Sequence, residues 1–440
     1  MKFRDRREAG QMLAERLIHL REARPVVLAL PRGGVPVGAE VARRLDAPLD
    51  VLVSRKLGAP DQPELGVGAI AEGDARYVDE TACQALGISS AALERIAVRE
   101  ARQVERLVWR YRRRRPLPPL AGRTAILIDD GLATGGTARA AILCARAHHP
   151  AHLVFAAPVG ARESIEALRG EVDELACVLE PDELIAIGLW YRDFRQVSDD
   201  EVRAWLNPGG PGEPLADELE GQAVAIPTRS MTLGGELAIR PGARGLVLLA
   251  HGTGSSRFST NQRFLAELLR EAGFGTLLVD LISEDEVALA ARSHDPRRGI
   301  ELLGERLIDA IDWLVAQPTT SGLPIGCMAA STGAAAALLA AAARPSELGA
   351  VVCRGGRPDL AGDPLARVRA PTLLLVGGDD ASGLAHNRAV LGRLGGETEL
   401  VAIRDAGHRF EEPGALEEVG RLAAEWFARY LIAAGEPARP

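Results

Sequence analysis

Between two long stretches of ordinary globular sequence, Asn207-Pro208-Gly209-Gly210-Pro211-Gly212-Glu213-Pro214 packs three prolines and three glycines into eight positions. Proline removes a backbone donor and fixes φ, and glycine loses the most backbone entropy on ordering. Neither helix nor strand continues through such a segment. Each side must therefore close a core of its own, and a chain of 440 residues is long enough for that. The expected organisation is a first domain over 1–206, a linker over 207–217 and a second domain over 218–440. No internal repeat relates the two halves.

Both halves carry the same alternation. Before the break, Val26–Leu30, Leu49–Val53, Thr124–Ile128 and Leu153–Ala157 are short apolar runs. After it, Gly245–Ala250, Thr276–Val279, Ile325–Ala329, Gly349–Cys353 and Thr372–Val376 do the same. Unbroken apolar runs of this length mark strands buried on both faces of a parallel sheet. Helical stretches such as Asn261–Ala272 and Ile300–Val315 lie between them. The predicted fold class is α/β in both domains, with sites at the carboxyl ends of the strands.

Charge and composition narrow the function classes. Basic and acidic side chains balance before the break, and the whole net charge of −8 lies after it. Neither half has the basic excess of a dedicated nucleic-acid binder. The five cysteines are scattered and odd in number, with no CxxC pair, which argues against a disulfide framework or a zinc site. The N-terminal MKFRDRREAG lacks an apolar signal core, and the longest apolar run, Ala334 to Ala343, falls short of the ~20 residues of a membrane span. A cytoplasmic protein acting on small molecules is expected, with no nucleic-acid or membrane partner; a homo-oligomer stays open.

The most informative stretch of the first half is Ala125-Ile126-Leu127-Ile128-Asp129-Asp130-Gly131-Leu132-Ala133-Thr134-Gly135-Gly136-Thr137. A buried strand runs into two carboxylates, then a Gly/Thr loop, then a helix. The loop can turn successive N–H groups toward an anion at the helix N-terminus, where the dipole favours negative charge. Thr134 and Thr137 add hydroxyl donors. Asp129 and Asp130 suit a neighbouring diol, because carboxylates accept from hydroxyls. A Walker A loop is excluded by the missing Gly-Lys-Ser/Thr ending, and a dinucleotide fingerprint by the acidic pair preceding the glycines.

This segment resembles the phosphoribosyl-pyrophosphate signature of the type I phosphoribosyltransferases, and the resemblance extends over most of residues 1–205. It implies that Asp129 and Asp130 hold the ribose hydroxyls and that Ala133, Thr134, Gly135, Gly136 and Thr137 hold the 5′-phosphate. It also implies Mg²⁺ with phosphoribosyl pyrophosphate as co-substrate; the residues name no metal ligand. Leu30-Pro31-Arg32-Gly33-Gly34-Val35-Pro36 matches the family's pyrophosphate loop, with Arg32 as a phosphate fork and Gly33 allowing close backbone approach. Ser54 to Gly66 looks like the family's flexible loop that closes on pyrophosphate, with Lys56, one of only two lysines in the chain, as a compact phosphate-facing cation. Leu189 to Phe194 is an aromatic cluster that suits either base stacking or core packing. Trp109 to Arg115 reads as a solvated, cationic helix end, with RNA contact as the alternative.

In the second half, the apolar run ending at Ala329 is followed by Ala330-Ser331-Thr332-Gly333 and an Ala-rich helix, the layout of a nucleophile elbow. Ala329 stands where such elbows usually have their first glycine. Thr372 to Val376 leads into Gly377-Gly378-Asp379-Asp380, which supplies Asp380 as the acid with Asp379 as fallback. Asp405-Ala406-Gly407-His408 supplies His408. Ser…Asp…His is the α/β-hydrolase chain order. Leu248 to Ser255 ends a strand in a glycine-rich loop, so Thr253 and Thr332 are expected to give the two oxyanion N–H groups, with His251 as structural support. Residues 218–437 resemble the dienelactone-hydrolase branch of the α/β-hydrolases, which often uses Cys where this chain has Ser331. The expectation is a fusion: phosphoribosyl transfer to a nucleobase-like acceptor, and Ser-His-Asp hydrolysis of a small ester. The alternative is a ribose-phosphate sensor that controls the hydrolase without turnover.

Overall fold

The structure is a computed structural model describing residues 2–60, 62–113, 115–206, 221–252, 256–283, 286, 296–410 and 412–431. The linker expected at 207–217 lies outside the described residues. Contacts divide the chain into two compact units, Met1–Leu215 and Ala216–Pro440.

The first unit begins with β1 (Val26–Ala29) and β2 (Leu49–Val51), continues through β3 (Ser54–Ala59), β4 (Gln62–Ala71) and β5 (Arg76–Val78), and ends with β6 (Thr124–Ile128), β7 (His152–Val159) and β8 (Glu174–Leu179). Five of these form a parallel sheet in the order β2-β1-β6-β7-β8. The helices Arg6–Leu17 and Gly34–Leu45 cover one face, where Leu13, Leu17, Val37 and Val41 meet Val27, Ile126 and Val154. Leu28, Leu127 and Phe155 point to the other face, against Ile142 of the helix Gly136–Ala147. Burial on both faces explains the unbroken apolar runs. The segment expected as the family's closing loop takes the form of the β3–β4 hairpin, extended by β5 into a three-stranded antiparallel sheet.

The second unit is an eight-stranded sheet of β9 (Gln222–Pro227), β10 (Thr232–Ala238), β11 (Leu246–Ala250), β12 (Gly275–Val279), β13 (Ile325–Ala330), β14 (Leu348–Arg354), β15 (Thr372–Gly377) and β16 (Thr398–Ile403). Its order is β16-β15-β14-β13-β11-β12-β10-β9, with β9 and β10 antiparallel and the rest parallel. Strand order reverses at β11, which lies between β12 and β13, and a crevice opens outside the carboxyl ends of strands at such a reversal. Among the described residues, no helix is long and apolar enough to cross a membrane.

Candidate functional sites in the two units

In-register pairing of β1 with β6 sets Ala29 beside Ile128, so the loops that leave these strands emerge side by side. One carries Arg32 and Gly33, the other Asp129 through Thr137. The loops are in contact. A Cβ on Gly33 would collide with the Asp130 carboxylate, and one on Gly34 would sit 2.5 Å from the Ile128 carbonyl. Gly33 is therefore required to make room for Asp130, a reason additional to ligand approach.

Asp130 is buried and its Oδ2 accepts from Arg6 Nε at 2.7 Å. Asp129 is half-buried, and its Oδ1 accepts the Asp130 N–H at 2.8 Å. Burial, joined by the charge of Asp130, pushes the Asp129 carboxyl well above the usual range. Burial also raises Asp130, opposed by Arg6. Beyond the pair, Leu132 is pinned by its N–H to the Val159 carbonyl at 2.8 Å and by its own carbonyl accepting from Ala161 at 2.8 Å. Ala133 and Thr134 are exposed on the bend. Gly135, at φ +79°, turns the chain into the helix that starts at Gly136, with Gly136 and Thr137 half-buried in its first turn. This leaves an open loop of amides at a helix N-terminus, suited to an anion.

Lys56 lies on the exposed side of β3 opposite Ala69. Its hairpin approaches the loop: a Cβ on Gly136 would lie 3.7 Å from the Gly68 carbonyl. Arg32 Nη1 stands 3.8 Å from Asp199 Oδ1, which also accepts from Tyr111 Oη at 2.5 Å. Asp199 Oδ2 accepts from Arg110 at 2.6 Å. The run Trp109–Arg115 is not a solvated end as a whole. Trp109, Tyr111 and Arg112 are buried, Arg112 pairs with Glu72, and burial lowers its guanidinium to about 10. In the aromatic cluster, Tyr191 is core, stacked near Phe3 and Phe194, with its hydroxyl donating to the Asp130 carbonyl at 2.6 Å. Arg6 and Tyr191 thus belong to the surroundings of the acidic pair. The sequence held no local sign of Arg6, whose partner is 124 positions away.

No group of three or more His, Cys, Asp or Glu side chains converges on one point among the described residues. Mg²⁺ binds through one or two carboxylates and relies on substrate oxygens and water for the rest. The pair at the end of β6 fits that mode of binding.

In the second unit, Ser331 lies between β13 and the helix Thr332–Ala343 at φ +55°, ψ −130°. That region is strained for a residue with a Cβ, and it lifts the side chain out of the sheet edge into solvent. Glycines surround the turn. A Cβ on Gly333 would lie 3.0 Å from the His251 backbone, and one on Gly356 2.9 Å from the Ser331 carbonyl. Ala329, buried between Ala250 and Cys353, fills its place without disturbing the elbow. At the end of β15, Asp380 Oδ2 accepts from His408 Nδ1 at 2.8 Å, and Asp380 Oδ1 accepts the Gly383 N–H at 2.8 Å. Burial works against the Asp380 charge, but these two donors hold its carboxyl below the usual range. The fallback Asp379 is exposed and offers its N–H to the Ala406 carbonyl.

Neighbouring glycines bring the pieces together: a Cβ on Gly355 would lie 3.1 Å from the His408 carbonyl, beside Gly356 against Ser331. No hydrogen bond joins Ser331 Oγ to His408 among the described residues, so the nucleophile–base contact is left open. Thr332 N lies 3.1 Å from where a Cβ on Gly252 would be, facing the loop after β11, and its buried hydroxyl has no partner among the described residues. Thr253 lies outside the described residues. His251 is buried, held between Asp280 Oδ1 at 3.2 Å and the Gly252 carbonyl at 2.9 Å. A strand-end serine, a strand-end acid and a histidine after the last strand, on this strand order, make the second unit an α/β-hydrolase fold.

A family model for the phosphoribosyl transferase domain matches residues 6–190. Two Mycobacterium tuberculosis proteins, from strains CDC 1551 and H37Rv and both named "Putative phosphoribosyl transferase", are 45% identical over 445 residues, covering 98% of this chain and 99% of theirs. Among solved structures, a dienelactone hydrolase from Anabaena variabilis is 50% identical, covers 48% of this chain and 97% of its own, and has a TM-score of 0.46. A Thermus thermophilus protein is 42% identical over 47% of this chain and 98% of its own, with a TM-score of 0.41. Matched over almost its whole length, this chain belongs to the same family as those two mycobacterial proteins, with a phosphoribosyl transferase domain followed by an α/β-hydrolase fold.

Proposed function

We propose that the first unit transfers ribose 5-phosphate from phosphoribosyl pyrophosphate to a nucleobase-like nitrogen, and that the second hydrolyses a small ester. The first reading rests on the acidic pair that ends β6 and runs directly into an amide-lined bend at a helix N-terminus. Displacing pyrophosphate breaks the C1′–O bond and builds oxocarbenium-like charge, while the acceptor nitrogen forms the new C1′ bond. This transfer needs no covalent nucleophile from the first unit. In this reading the 133–137 loop anchors the 5′-phosphate, the carboxylates orient the diol, and Arg32 and Lys56 neutralise the leaving group. Bound Mg²⁺, held by the acidic pair and substrate oxygens, would add charge neutralisation on pyrophosphate.

In the second unit, the strained Ser331 turn beside the His408–Asp380 pair carries the reading. His408 Nδ1–H is committed to Asp380, which leaves Nε2 to take the Ser331 proton as Oγ attacks the ester carbonyl. The Thr332 N–H faces the oxyanion, and Thr253 remains the proposed second donor.

Pyrophosphate release measured across a panel of nucleobases, alongside calorimetry with phosphoribosyl pyrophosphate, tests the transferase. Binding with no release for any base would reduce the unit to a sensor. A fluorophosphonate probe should label the wild type and spare Ser331→Ala; equal labelling removes Ser331 from the nucleophile role.

A further inference from the structure

We infer that Arg6 is a positioning residue of the phosphoribosyl site: it holds Asp130 as the buried anchor of the carboxylate pair, and so sets where the pair meets the sugar diol. This rests on the transferase function proposed above. Arg6 is the first residue of the helix Arg6–Leu17, whose start is fixed by Asp5 Oδ1 accepting the Glu8 N–H at 2.8 Å. Its Nε donates to Asp130 Oδ2 at 2.7 Å and its Nη1 to the Arg195 carbonyl at 2.9 Å. The guanidinium carbon lies 3.8 Å from the centre of the Phe194 ring. Arg6 and Asp130 are each only 9% exposed.

Three neighbours hold Asp130 in place. Gly33 leaves room for its carboxylate and no more, Arg6 takes Oδ2, and Tyr191 Oη donates to its carbonyl at 2.6 Å. Asp129 is the less buried of the two, and its Oδ1 is steadied by the Asp130 N–H. The position of Asp129 is thus inherited from Asp130, and that of Asp130 from Arg6. Arg6 also binds the 191–195 strap to this point, next to Ile187, which lies 2.5 Å from where a Cβ on Gly131 would be. The neighbouring Arg7 faces elsewhere, toward Glu40 at 3.1 Å, with its side chain 62% exposed. Helix register, not local basic charge, selects Arg6.

The test is calorimetry on the full chain with two probes: phosphoribosyl pyrophosphate with magnesium, and ribose 5-phosphate alone. Arg6→Ala leaves a buried carboxylate unpaired, so both affinities should fall about 10- to 100-fold. Arg6→Lys keeps the charge without the fork and should recover part of the loss; millimolar guanidinium added to Arg6→Ala should do likewise. Arg6→Ala with Asp130→Asn removes both charges and should bind within about threefold of Asp130→Asn alone, because the two act as one unit. Asp129→Asn should lose ribose 5-phosphate binding. If Arg6→Ala misfolds, the Arg6→Lys and double-variant comparisons decide. Arg6→Ala or Arg6→Lys binding both probes like wild type, or losses that simply add in the double variant, overturns the role of Arg6 and leaves the transferase reading standing. A wild type that binds neither probe overturns both.

Discussion

Replacing Ser331 by glycine should stabilise the second unit while abolishing its nucleophile. Ser331 holds φ +55°, ψ −130°, and a side chain in that region costs roughly 1–3 kcal/mol. Two backbone bonds keep it there, since the Ser331 carbonyl accepts from Ala334 at 3.1 Å and from Arg357 at 3.2 Å. Glycine removes the strain but loses about 0.5–1 kcal/mol more backbone entropy on folding. The net gain is about 1 kcal/mol, or a rise of roughly 2–4 °C in the melting transition of a unit this size. Ser331→Ala is the control. It keeps the Cβ and the strain, and removes only an exposed hydroxyl with no hydrogen bond among the described residues, so it should stay within about 0.5 kcal/mol of wild type. Differential scanning calorimetry on the pair, with fluorophosphonate labelling lost in both, reads the difference. If Ser331→Gly melts no higher than Ser331→Ala, the turn stores no strain and the elbow argument fails.

Asp380→Asn should lower ester turnover about 10³- to 10⁴-fold, because His408 loses the acceptor that fixes its tautomer, and the exposed Asp379 should not substitute; p-nitrophenyl ester hydrolysis checks it. Asp129 has a folded-state pKa raised by burial, so it binds more protons folded than unfolded and opposes folding increasingly as pH rises from its unfolded value through its folded one. Asp129→Asn should therefore raise the melting temperature of the ligand-free, metal-free protein at pH 7–8 and have little effect near pH 3; an equal shift at both refutes the assignment. Gly33→Ala should weaken phosphoribosyl pyrophosphate binding by displacing Asp130, seen as a calorimetric loss of about tenfold or more.

The parallel strands were legible because burial on both faces leaves no polar position to interrupt them. β6, with all five residues buried, matches its apolar run residue for residue. Among the strands that escaped are half-exposed ones: β8 is partly buried throughout, β9 is mostly exposed, and β16 alternates irregularly. Their side chains mix polar and apolar residues, which a loop also does. Ser331 and Asp380 stand out in the sequence because each follows a strand that marks its place, and His408 because the chain order Ser…Asp…His calls for it after them. Arg6 does not, since helix packing alone brings it to Asp130. The Trp109–Arg115 run misled for a related reason: composition announces charge, while helix orientation decides that Arg112 points inward to Glu72.

Asp199 opens the helix Asp199–Leu206, the final described element of the first unit, yet it is the shared acceptor for Tyr111 and Arg110 and the neighbour of Arg32. The family match stops at residue 190. Anyone excising this unit for separate expression by trimming to that match would amputate the carboxylate beside Arg32, and the severed piece would carry a tyrosine buried with its hydroxyl unanswered. A workable excision keeps the chain through Leu206.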